Sequence, residues 1–329
     1  MELSNARVVV TGGAGFIGSH VVDRLLHIAA DVAVVDDLSV GSRDNLADAL
    51  AAGSRLVVGD VRDAELMGRE LRGASLVIHM ACDNLRASLR NPQRTHEVNA
   101  TGTLTVSLAA AKQGVERLVY VSSSEAYGTA RQIPMAEDHP LEPTTVYGAS
   151  KAAGELYAQA AMRTYGLPVV VVRPFNAYGP REHVTGTSAE VIPKFASRIL
   201  AGLQPVVFGD GSQTRDFTWV EETAAGIVSA AACDALVGEA VNIASGIQTS
   251  IRTICELLLE ILDTDLSPQF TERRPGDVDH HCANTSKAQA LMGFNAVIPV
   301  REGLERYVAW LLADERAGEI GRSQVVRNW

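Results

Sequence analysis

The stretch TGGAGFIGSH, residues Thr11–His20, decides the fold. It follows the apolar run RVVV (7–10) and leads into an amphipathic segment that is typical of a helix. Its glycines fit the spacings G-x-G-x-x-G and G-x-x-G-x-x-G, and they are Gly12, Gly13, Gly15 and Gly18. Glycines between a strand and a helix allow the backbone to approach a pyrophosphate, which the N-terminus of the helix attracts. The stretch therefore predicts a dinucleotide-binding turn.

A carboxylate at the end of the second apolar run predicts which dinucleotide is bound. Asp36 closes DVAVVD (31–36), eighteen residues after Gly18. Such a carboxylate accepts a hydrogen bond from an adenosine ribose 2′-OH and repels a 2′-phosphate, so NAD is favoured over NADP. Arg43 is close in sequence and keeps NADP open as an alternative. Asp60, at the end of the third run, is placed to meet the adenine edge.

Apolar, β-branched runs alternate with helix-like segments through the first half of the chain. The runs are RVVV (7–10), DVAVVD (31–36), RLVVGD (55–60), SLVIHMA (75–81), RLVYVSS (117–123) and LPVVVVRP (167–174). Continuous apolar runs are expected of parallel strands that are buried on both faces. Their alternation with helices predicts right-handed βαβ units. We therefore predict an α/β fold with a Rossmann-type, doubly wound parallel sheet.

The composition of the sequence changes after Arg173, where proline and glycine become more frequent and strand-like apolar runs become less distinct. This change predicts a smaller C-terminal substrate-binding domain. We assign 1–172 to an NAD-binding Rossmann domain, with a return segment at about 216–244. We assign 173–215 and 245–329 to the domain that binds the substrate.

Composition restricts the partners and the compartment. The chain has 329 residues, 47% of them hydrophobic, and a formal net charge of −10, which argues against nucleic acid or an anionic membrane as the main partner. The four cysteines are Cys82, Cys233, Cys255 and Cys282. They form no C-x-x-C pair, so they are expected to be reduced thiols of a cytoplasmic protein. Neither a signal peptide nor a transmembrane span is expected, and His280-His281 lacks a third ligand, so no metal is predicted.

A tyrosine and a lysine in TVYGASKAAGE (145–155) indicate acid–base chemistry. Tyr147 and Lys151 are four residues apart at the start of a predicted helix, which places them on one face. A lysine ammonium near the phenol favours the phenolate and is expected to lower the pKa of Tyr147 toward that of a working base. Ser123 ends an apolar run, where an open α/β sheet contacts its ligands. A surface tyrosine or a helix-capping serine is the ordinary alternative for each residue alone.

Seven motifs spread along the chain resemble those of one family. They are TGGAGFIG (11–18), NATG (99–102), SSSEAYG (122–128), YGASK (147–151), RPFNAYGP (173–180), GDGSQTRDF (209–217) and RRPGD (273–277). Together they resemble the extended short-chain dehydrogenase/reductases, and within that family the nucleotide-sugar epimerases and dehydratases. The resemblance implies that Tyr147 removes the proton of a sugar 4-OH while hydride passes from C4 to NAD. It also implies that Lys151 holds the nicotinamide ribose and that Ser123 completes a catalytic triad.

The resemblance also implies a set of binding residues and an assembly. For the cofactor they are Gly12, Gly15, Phe16, Ile17, Gly18, Asp36, Asp60, Val61, Asn99, Tyr147 and Lys151. For the substrate they are Arg86, Asn176, Arg215 and Arg274, and guanidinium groups suit phosphate oxygens. The loop PREHVTGTSAEVIPKF (180–195) is expected to cover the sugar or the base through His183, Thr185 and Thr187. Relatives dimerise by packing helices, so a homodimer is expected.

Ser124 and Glu125 leave the exact reaction open. In family members that act at C5, a glutamate stands two residues before a Tyr-Gly pair, as Glu125 does here. Sugar 4,6-dehydratases use it to remove the C5 proton, and UDP-glucuronate decarboxylases carry a similar Ser-Glu pair. Arg86, in LRASLRNP (85–92), resembles an arginine of UDP-glucuronate 4-epimerases and could meet a hexuronate carboxylate.

The interpretation that accounts for most of the motifs is an NAD-dependent nucleotide-sugar 4-epimerase. It would act on a UDP-hexose or a UDP-hexuronate through a 4-keto intermediate. One alternative is an NDP-sugar 4,6-dehydratase or a UDP-glucuronate decarboxylase that uses Glu125. An alternative of another class is a non-catalytic NAD-binding sensor.

Overall fold

A computed structural model describes residues 1–184, 189–273 and 278–313. Its strands are β1 (Arg7–Thr11), β2 (Asp31–Asp36), β3 (Arg55–Val58), β4 (Leu76–His79), β5 (Arg117–Val121), β6 (Val169–Pro174), β7 (Asn176–Tyr178), β8 (Val206–Phe208), β9 (Thr214–Trp219), β10 (Ala240–Ile243), β11 (Gln248–Ser250) and β12 (Gln269–Thr271).

The α-helices of the same residues lie between these strands. They are α1 (Phe16–Leu26), α2 (Ala47–Ala51), α3 (Ala64–Glu70), α4 (Leu85–Arg90), α5 (Pro92–His96), α6 (Gly102–Gln113), α7 (Val146–Tyr165), α8 (Val191–Leu200), α9 (Val220–Ala232), α10 (Ile251–Ile261), α11 (Ser286–Met292) and α12 (Val300–Leu312). Short 3₁₀ turns cover Arg43–Leu46, Ser124–Ala126 and Asp234–Leu236, and a π-helical turn covers Glu97–Thr101.

Within the described residues, seven strands form one sheet in the order β10-β6-β5-β4-β1-β2-β3. Every pairing in this sheet is parallel. The strand order reverses between β1 and β4, and in open α/β sheets ligands bind at the carboxyl ends beside such a switch point. The predicted doubly wound, Rossmann-type fold is therefore confirmed, and the topology predicts where the site lies.

Alternate residues of the strands enter two separate hydrophobic clusters, one on each face of the sheet. In β1, Val8 and Val10 pack on the face that α1 and α9 cover, whereas Val9 packs on the face of α3, α6 and α7. This two-sided burial is the reason that the runs read as continuously apolar. β3 differs from the prediction because it is the edge strand, and its Val58 is 59% exposed.

The second half of the chain contributes to both parts of the molecule. α9 and β10 return to the large sheet, where β10 pairs with β6. A three-stranded sheet, β11-β9-β7, and the pair β12-β8 lie outside it. Around them α8, α10 and α12 form a third cluster that includes Phe195, Ile254 and Leu304. The exact domain limits stay a prediction, but the carboxyl edge of the large sheet lies opposite α8 and β9.

Candidate functional site

A cleft of about 480 Å³ runs along the carboxyl ends of the strands. Its walls come from the large sheet on one side and from α8 and β9 on the other. The predicted site residues that line it are Gly12, Gly15, Phe16, Ile17, Gly18, Asp36, Asp60, Val61, Arg86, Ser123, Ser124, Glu125, Tyr147, Lys151, Asn176 and Arg215. Residues from distant parts of the sequence thus share one cavity of the size that small ligands occupy.

The glycine turn packs tightly against neighbouring backbone, which lets its own backbone approach a ligand closely. Gly12 has φ +70°, a left-handed conformation that favours glycine, and a Cβ there would lie 2.6 Å from the backbone nitrogen of Ala81. A Cβ on Gly18 would overlap the carbonyl oxygen of Gly12. α1 begins at Phe16 after Gly15, which provides no side-chain cap, so the first N–H groups of the helix face the cleft. This turn fits the pyrophosphate of a dinucleotide.

Asp36 is held in place at the tip of β2. Its carboxylate oxygens accept hydrogen bonds from the backbone N–H groups of Ala14 and Leu38, each at 2.9 Å. Burial raises the pKa of Asp36 despite these bonds. Each oxygen keeps a further acceptor position, so the carboxylate fits a ribose hydroxyl of NAD at the cleft wall.

Asp60 and Val61 lie at the next position along the edge. The side chain of Arg62 donates to both carboxylate oxygens of Asp60, at 3.0 Å from Nε and 2.6 Å from Nη2. Hydrogen bonding from Arg62 lowers the pKa of Asp60. Asp60 therefore lines the predicted adenine end of the cleft as a carboxylate that is already paired, and Val61 is buried beside it.

Asn99 lies behind the cleft wall, not among its lining residues. Its Oδ1 accepts from the backbone N–H of Asp83 at 2.7 Å, and its Nδ2 donates to Asp83 O and to Ser150 Oγ. Ser150 Oγ in turn donates to the carbonyl of Tyr147 at 2.7 Å. The amide of Asn99 thus joins the loop after β4 to the start of α7, and its predicted part in cofactor binding stays a prediction.

Ser123, Tyr147 and Lys151 come together at the carboxyl end of β5. Thr145 caps α7 by accepting from Gly148 N–H at 3.0 Å, which sets Tyr147 in the first turn and Lys151 in the second. The side chain of Ser123 lies close enough to the hydroxyl of Tyr147 to act on it as a hydrogen-bonding partner and to lower its pKa. Lys151 Nζ donates to the carbonyl of Val121 at 2.6 Å. Two elements that are adjacent only in the folded chain thus assemble the predicted triad.

The electrostatics of this triad differ from the sequence prediction. Burial raises the pKa of Tyr147, and the neighbouring Cys82, Glu125 and Glu190 raise it further, whereas the bond to Ser123 lowers it. Burial also lowers the pKa of Lys151. The expected lowering of the tyrosine pKa is therefore wrong for the protein without ligands, because desolvation of the phenolate outweighs the nearby cation.

Ser124 and Glu125 form a 3₁₀ turn directly after Ser123. Ser123 Oγ accepts from the backbone N–H of Glu125 at 3.2 Å, which caps this turn. Ser124 is buried and Glu125 is partly exposed, and both line the cleft. The carboxylate of Glu125 is close enough to Tyr147 to raise the pKa of that tyrosine, so it lies near the candidate base.

The four predicted substrate-binding residues have different surroundings. Arg86 Nη2 donates to Glu190 Oε2 at 3.1 Å, and Arg215 Nη1 donates to the carbonyls of Thr214 and Val278. Asn176 Oδ1 is buried and accepts no hydrogen bond from the described residues. Arg274 lies outside the described residues. Thr185 and Thr187, predicted to cover the ligand, also lie outside them, whereas His183 lines the cleft.

Sequence reasoning missed the acidic groups that α8 and its preceding loop bring to the cleft. Glu182 and Glu190 both line it. Glu182 is buried, and burial raises its pKa well above its usual range. Glu190 stands at the N-cap of α8. The sequence offers one weak signal, the position of Glu190 before the apolar segment VIPKF, but nothing in it indicates a partner.

The described ranges contain neither a metal-binding cluster nor a membrane-spanning helix. Across residues 1–184, 189–273 and 278–313, no group of three or more His, Cys, Asp or Glu side chains could hold a metal ion. In the same ranges, no helix combines the length and the apolar character that crossing a bilayer requires.

Comparison with known proteins agrees with this geometry. The UDP-glucose 4-epimerase of Mycolicibacterium smegmatis is 34% identical over 307 residues, which are 92% of this chain and 97% of that protein. The solved UDP-glucose 4-epimerase of Thermotoga maritima, with UDP-glucose, is 33% identical with a TM-score of 0.88, covering 93% of this chain and 99% of its own. The solved dTDP-glucose 4,6-dehydratase of Streptomyces venezuelae, with NAD bound, is 36% identical with a TM-score of 0.89, covering 94% and 97%.

A family model matches most of the chain. The model of the NAD dependent epimerase/dehydratase family covers residues 8–244, from β1 to the residue after β10. This range contains the glycine turn, Asp36 and the Ser123, Tyr147 and Lys151 triad. The chain therefore belongs to the NAD dependent epimerase/dehydratase family, and it is an enzyme that uses NAD.

Proposed function

We propose that this enzyme is a nucleotide-sugar 4-epimerase that works through a 4-keto sugar. The observation that carries the proposal is the placement of Tyr147 with Ser123 in the same cleft as the glycine turn and Asp36. A phenol that exchanges a proton and a dinucleotide site thus face one cavity. Relatives that are named UDP-glucose 4-epimerases, at 33–34% identity, support the choice of epimerisation.

The residues of the triad would divide the proton chemistry. Tyr147 as phenolate accepts the proton of the sugar 4-OH while hydride leaves C4 with its electron pair, so that C4 becomes a carbonyl. NAD held in this cleft would supply the hydride acceptor and, after the 4-keto sugar has turned over, the hydride donor for the opposite face of C4. Tyr147 then returns its proton to the oxygen on C4, and neither a proton nor an electron is gained or lost overall.

Ser123 and Lys151 would prepare the phenol for this exchange. The side chain of Ser123 lies close to the hydroxyl of Tyr147 and lowers its pKa. Lys151 lies in the next turn of α7, and its hydrogen bond to the carbonyl of Val121 fixes it where it can hold the nicotinamide ribose. The cationic ring of an oxidised nicotinamide favours the phenolate as well, which offsets part of the desolvation.

The reaction can be tested with a panel of nucleotide sugars in deuterated water. We expect a product of unchanged mass, without deuterium, whose configuration at C4 is inverted. Loss of water together with deuterium at C5 would contradict the proposal and indicate 4,6-dehydration. Loss of carbon dioxide would indicate decarboxylation. If the enzyme turned over none of the sugar nucleotides, 4-epimerisation would be contradicted and the non-catalytic NAD-binding sensor would be favoured.

A 4,6-dehydratase is the second candidate, because Glu125 lies near Tyr147 in the cleft. The 36% identity to a dTDP-glucose 4,6-dehydratase also favours it. The variant Glu125→Gln separates the two reactions, since a 4-epimerase has no use for a base at C5. We expect it to keep most of the 4-epimerase activity, measured by product analysis. Severe loss of epimerase activity in this variant would contradict our account of Glu125.

We propose that the enzyme acts as a homodimer in the cytoplasm, without nucleic acid or membrane partners. Support comes from α6 and α7, which pack side by side and leave Leu108, Leu156 and Tyr157 exposed, at 41%, 61% and 40%. Apolar side chains grouped on adjacent helices are typical of interfaces. Light scattering should give twice the mass of 35.0 kDa, and a monomer would contradict the proposal.

A further inference from the structure

An ion pair crosses the cleft between two parts of the chain that are far apart in sequence. Arg86, on α4, donates from Nη2 to Glu190 Oε2 at 3.1 Å, and 104 residues separate the two. The Arg86 side chain is only 9% exposed, whereas that of Glu190 is 47% exposed. The pair thus closes one side of the cleft with a buried cation and an anion that reaches it from the opposite wall.

Glu190 does not serve its own helix. It stands at the N-cap of α8, where a side chain commonly accepts a hydrogen bond from the first turn, but it makes no such bond. Its carboxylate instead points across to Arg86. Replacing it would therefore change the charge of the cleft without removing a capping bond from α8.

Arg86 keeps a donor that no described residue uses. Its Nε is buried and has no hydrogen-bond partner within the described residues. A buried guanidinium donor without a partner costs free energy unless a ligand supplies an acceptor. The same cation is already neutralised by Glu190, so the acceptor that Arg86 can still take is a neutral oxygen more readily than a second carboxylate.

The pair lies at the reacting end of the cleft. Tyr147 is affected by the charges of Glu125 and Glu190, which places both carboxylates near its hydroxyl. Glu182 is close to Glu190 as well, and burial, reinforced by that neighbour, raises its pKa and favours its uncharged form. Besides the triad with Lys151, this part of the cleft therefore contains the Arg86–Glu190 pair, Glu125 and the carboxyl group of Glu182.

Three further cations lie on the second wall of the cleft. Lys194 and Arg198 follow Glu190 at four-residue spacing on α8, and Arg215 lies on β9. Side chains at this spacing share one face of a helix. Guanidinium groups match phosphate oxygens, so Arg198 and Arg215 suit the diphosphate of a nucleotide sugar.

We propose that Glu190 is a specificity-determining residue, which occupies Arg86 so that the enzyme takes an uncharged hexose in preference to a hexuronate. This inference rests on the proposed function, because it assumes that the sugar lies beside Tyr147. The sequence leaves hexose and hexuronate open on the strength of Arg86 alone. A hexuronate carboxylate would have to compete with Glu190 for Arg86, whereas a hydroxymethyl group would meet no such penalty.

The test compares affinities, so that it does not depend on turnover. Titration calorimetry on the NAD-loaded enzyme would measure the dissociation constants of a hexose and a hexuronate that carry the same nucleoside diphosphate. UDP-glucose and UDP-glucuronate are the first pair, followed by the dTDP and GDP pairs. We expect the wild-type enzyme to bind the hexose more tightly. Glu190→Gln should raise the ratio of the affinity for the hexuronate to the affinity for the hexose by about tenfold or more.

Two further variants identify the origin of the change. In Arg86→Gln/Glu190→Gln the gain for the hexuronate should disappear, because the cation that Glu190→Gln releases is absent. Glu260→Gln removes the same charge from an exposed pair with Arg301, 2.7 Å apart on α10 and α12, and should leave the ratio unchanged. This control separates a local effect from a change in net charge.

The outcomes distinguish this inference from the proposed function. An unchanged ratio in Glu190→Gln, or a wild-type enzyme that prefers the hexuronate, would overturn the role of Glu190 while leaving 4-epimerisation in place. Failure of every nucleotide sugar to bind the wild-type enzyme would overturn both. If Glu190→Gln does not fold, the wild-type preference and the single variant Arg86→Gln decide, since Arg86→Gln leaves the Glu190 charge unpaired and should weaken hexuronate binding more than hexose binding.

Discussion

Tyr147 is the residue at which opposing physical effects meet. Burial destabilises its phenolate, and the carboxylates of Glu125 and Glu190 add to this, while the bond to Ser123 acts in the other direction. The result is a tyrosine whose pKa is raised in the protein alone. A base of this kind is strong when it is deprotonated but is mostly protonated near neutral pH. The cofactor and Ser123 therefore determine what fraction of Tyr147 is present as the phenolate.

The pH dependence of catalysis follows from the raised pKa of Tyr147. Activity requires the phenolate, so kcat/KM for epimerisation should increase with pH, by up to about tenfold per unit, until another step limits the rate. Ser123→Ala removes the bond that lowers this pKa, so the rising limb should move to higher pH. Rate measurements between about pH 6 and pH 10 check both statements.

Replacement of the phenol itself provides the control for this profile. Tyr147→Phe should lower kcat by about 10²–10⁴. Tyr165→Phe, at the exposed end of the same helix, should behave like the wild-type enzyme. A pH profile that is flat in the wild-type enzyme, or one that Ser123→Ala leaves in place, would refute the assignment of Tyr147 as the base.

At the scale of the element, the turn from β1 into α1 is shaped by close packing. Gly18 brings the first turn of α1 against the carbonyl of Gly12, and Gly12 itself lies against the backbone of Ala81 in the neighbouring strand connection. The helix N-terminus can therefore point at a ligand from very short range. The same contacts leave no space for a methyl group.

Gly18→Ala should weaken NAD binding by at least about tenfold, because the added Cβ displaces the turn and the helix N-terminus. Calorimetric titration with NAD on enzyme freed of cofactor measures the change. Gly68→Ala is the matched control, since Gly68 also lies in a helix but a Cβ there meets nothing within 4 Å. Equal affinity of Gly18→Ala and Gly68→Ala for NAD would rule out this account of the turn.

At the scale of the whole molecule, a buried polar network ties the catalytic strands to the returning part of the chain. Arg173 on β6 donates to both oxygens of Glu155 on α7, at 3.0 and 2.7 Å, and Ser122 Oγ donates to the same carboxylate. Arg173 also donates to the hydroxyl of Tyr127, which donates to Asn242 on β10. The position of Ser123 next to Ser122 thus depends on residues of β6, α7 and β10.

Glu155→Gln should destabilise the fold by about 3–5 kcal/mol, because it leaves the Arg173 guanidinium buried without its counter-charge. Glu155 is 1% exposed and Arg173 is 5% exposed, so water cannot replace the lost partner. Urea unfolding at a fixed NAD concentration measures the change. Glu302→Gln breaks the exposed pair with Arg306 and should alter the midpoint little. Similar midpoints for the two variants would show that the buried pair contributes no more than a surface pair.

The large sheet shows how far pattern alone predicts architecture. The apolar runs match the strands to within a few residues, and the alternation with helices predicts the parallel topology correctly. The sequence does not predict the exposure of the edge strand β3, because its run, RLVVGD, is as apolar as the runs of the buried strands. Position in a sheet depends on strand order, and strand order is not written in the composition of any single strand.

The sequence by itself determined the elements and the chemistry of short segments: the glycine turn, Asp36 at a strand end, and the four-residue spacing of Tyr147 and Lys151. These depend on backbone conformation and helical periodicity, which act over a few residues. No local pattern indicates the Arg86–Glu190 pair, the Glu155–Arg173 network or the direction of the Tyr147 pKa shift, which arise in the folded chain. Desolvation and charge pairing depend on neighbours in space, and folding brings those neighbours from up to 115 residues away.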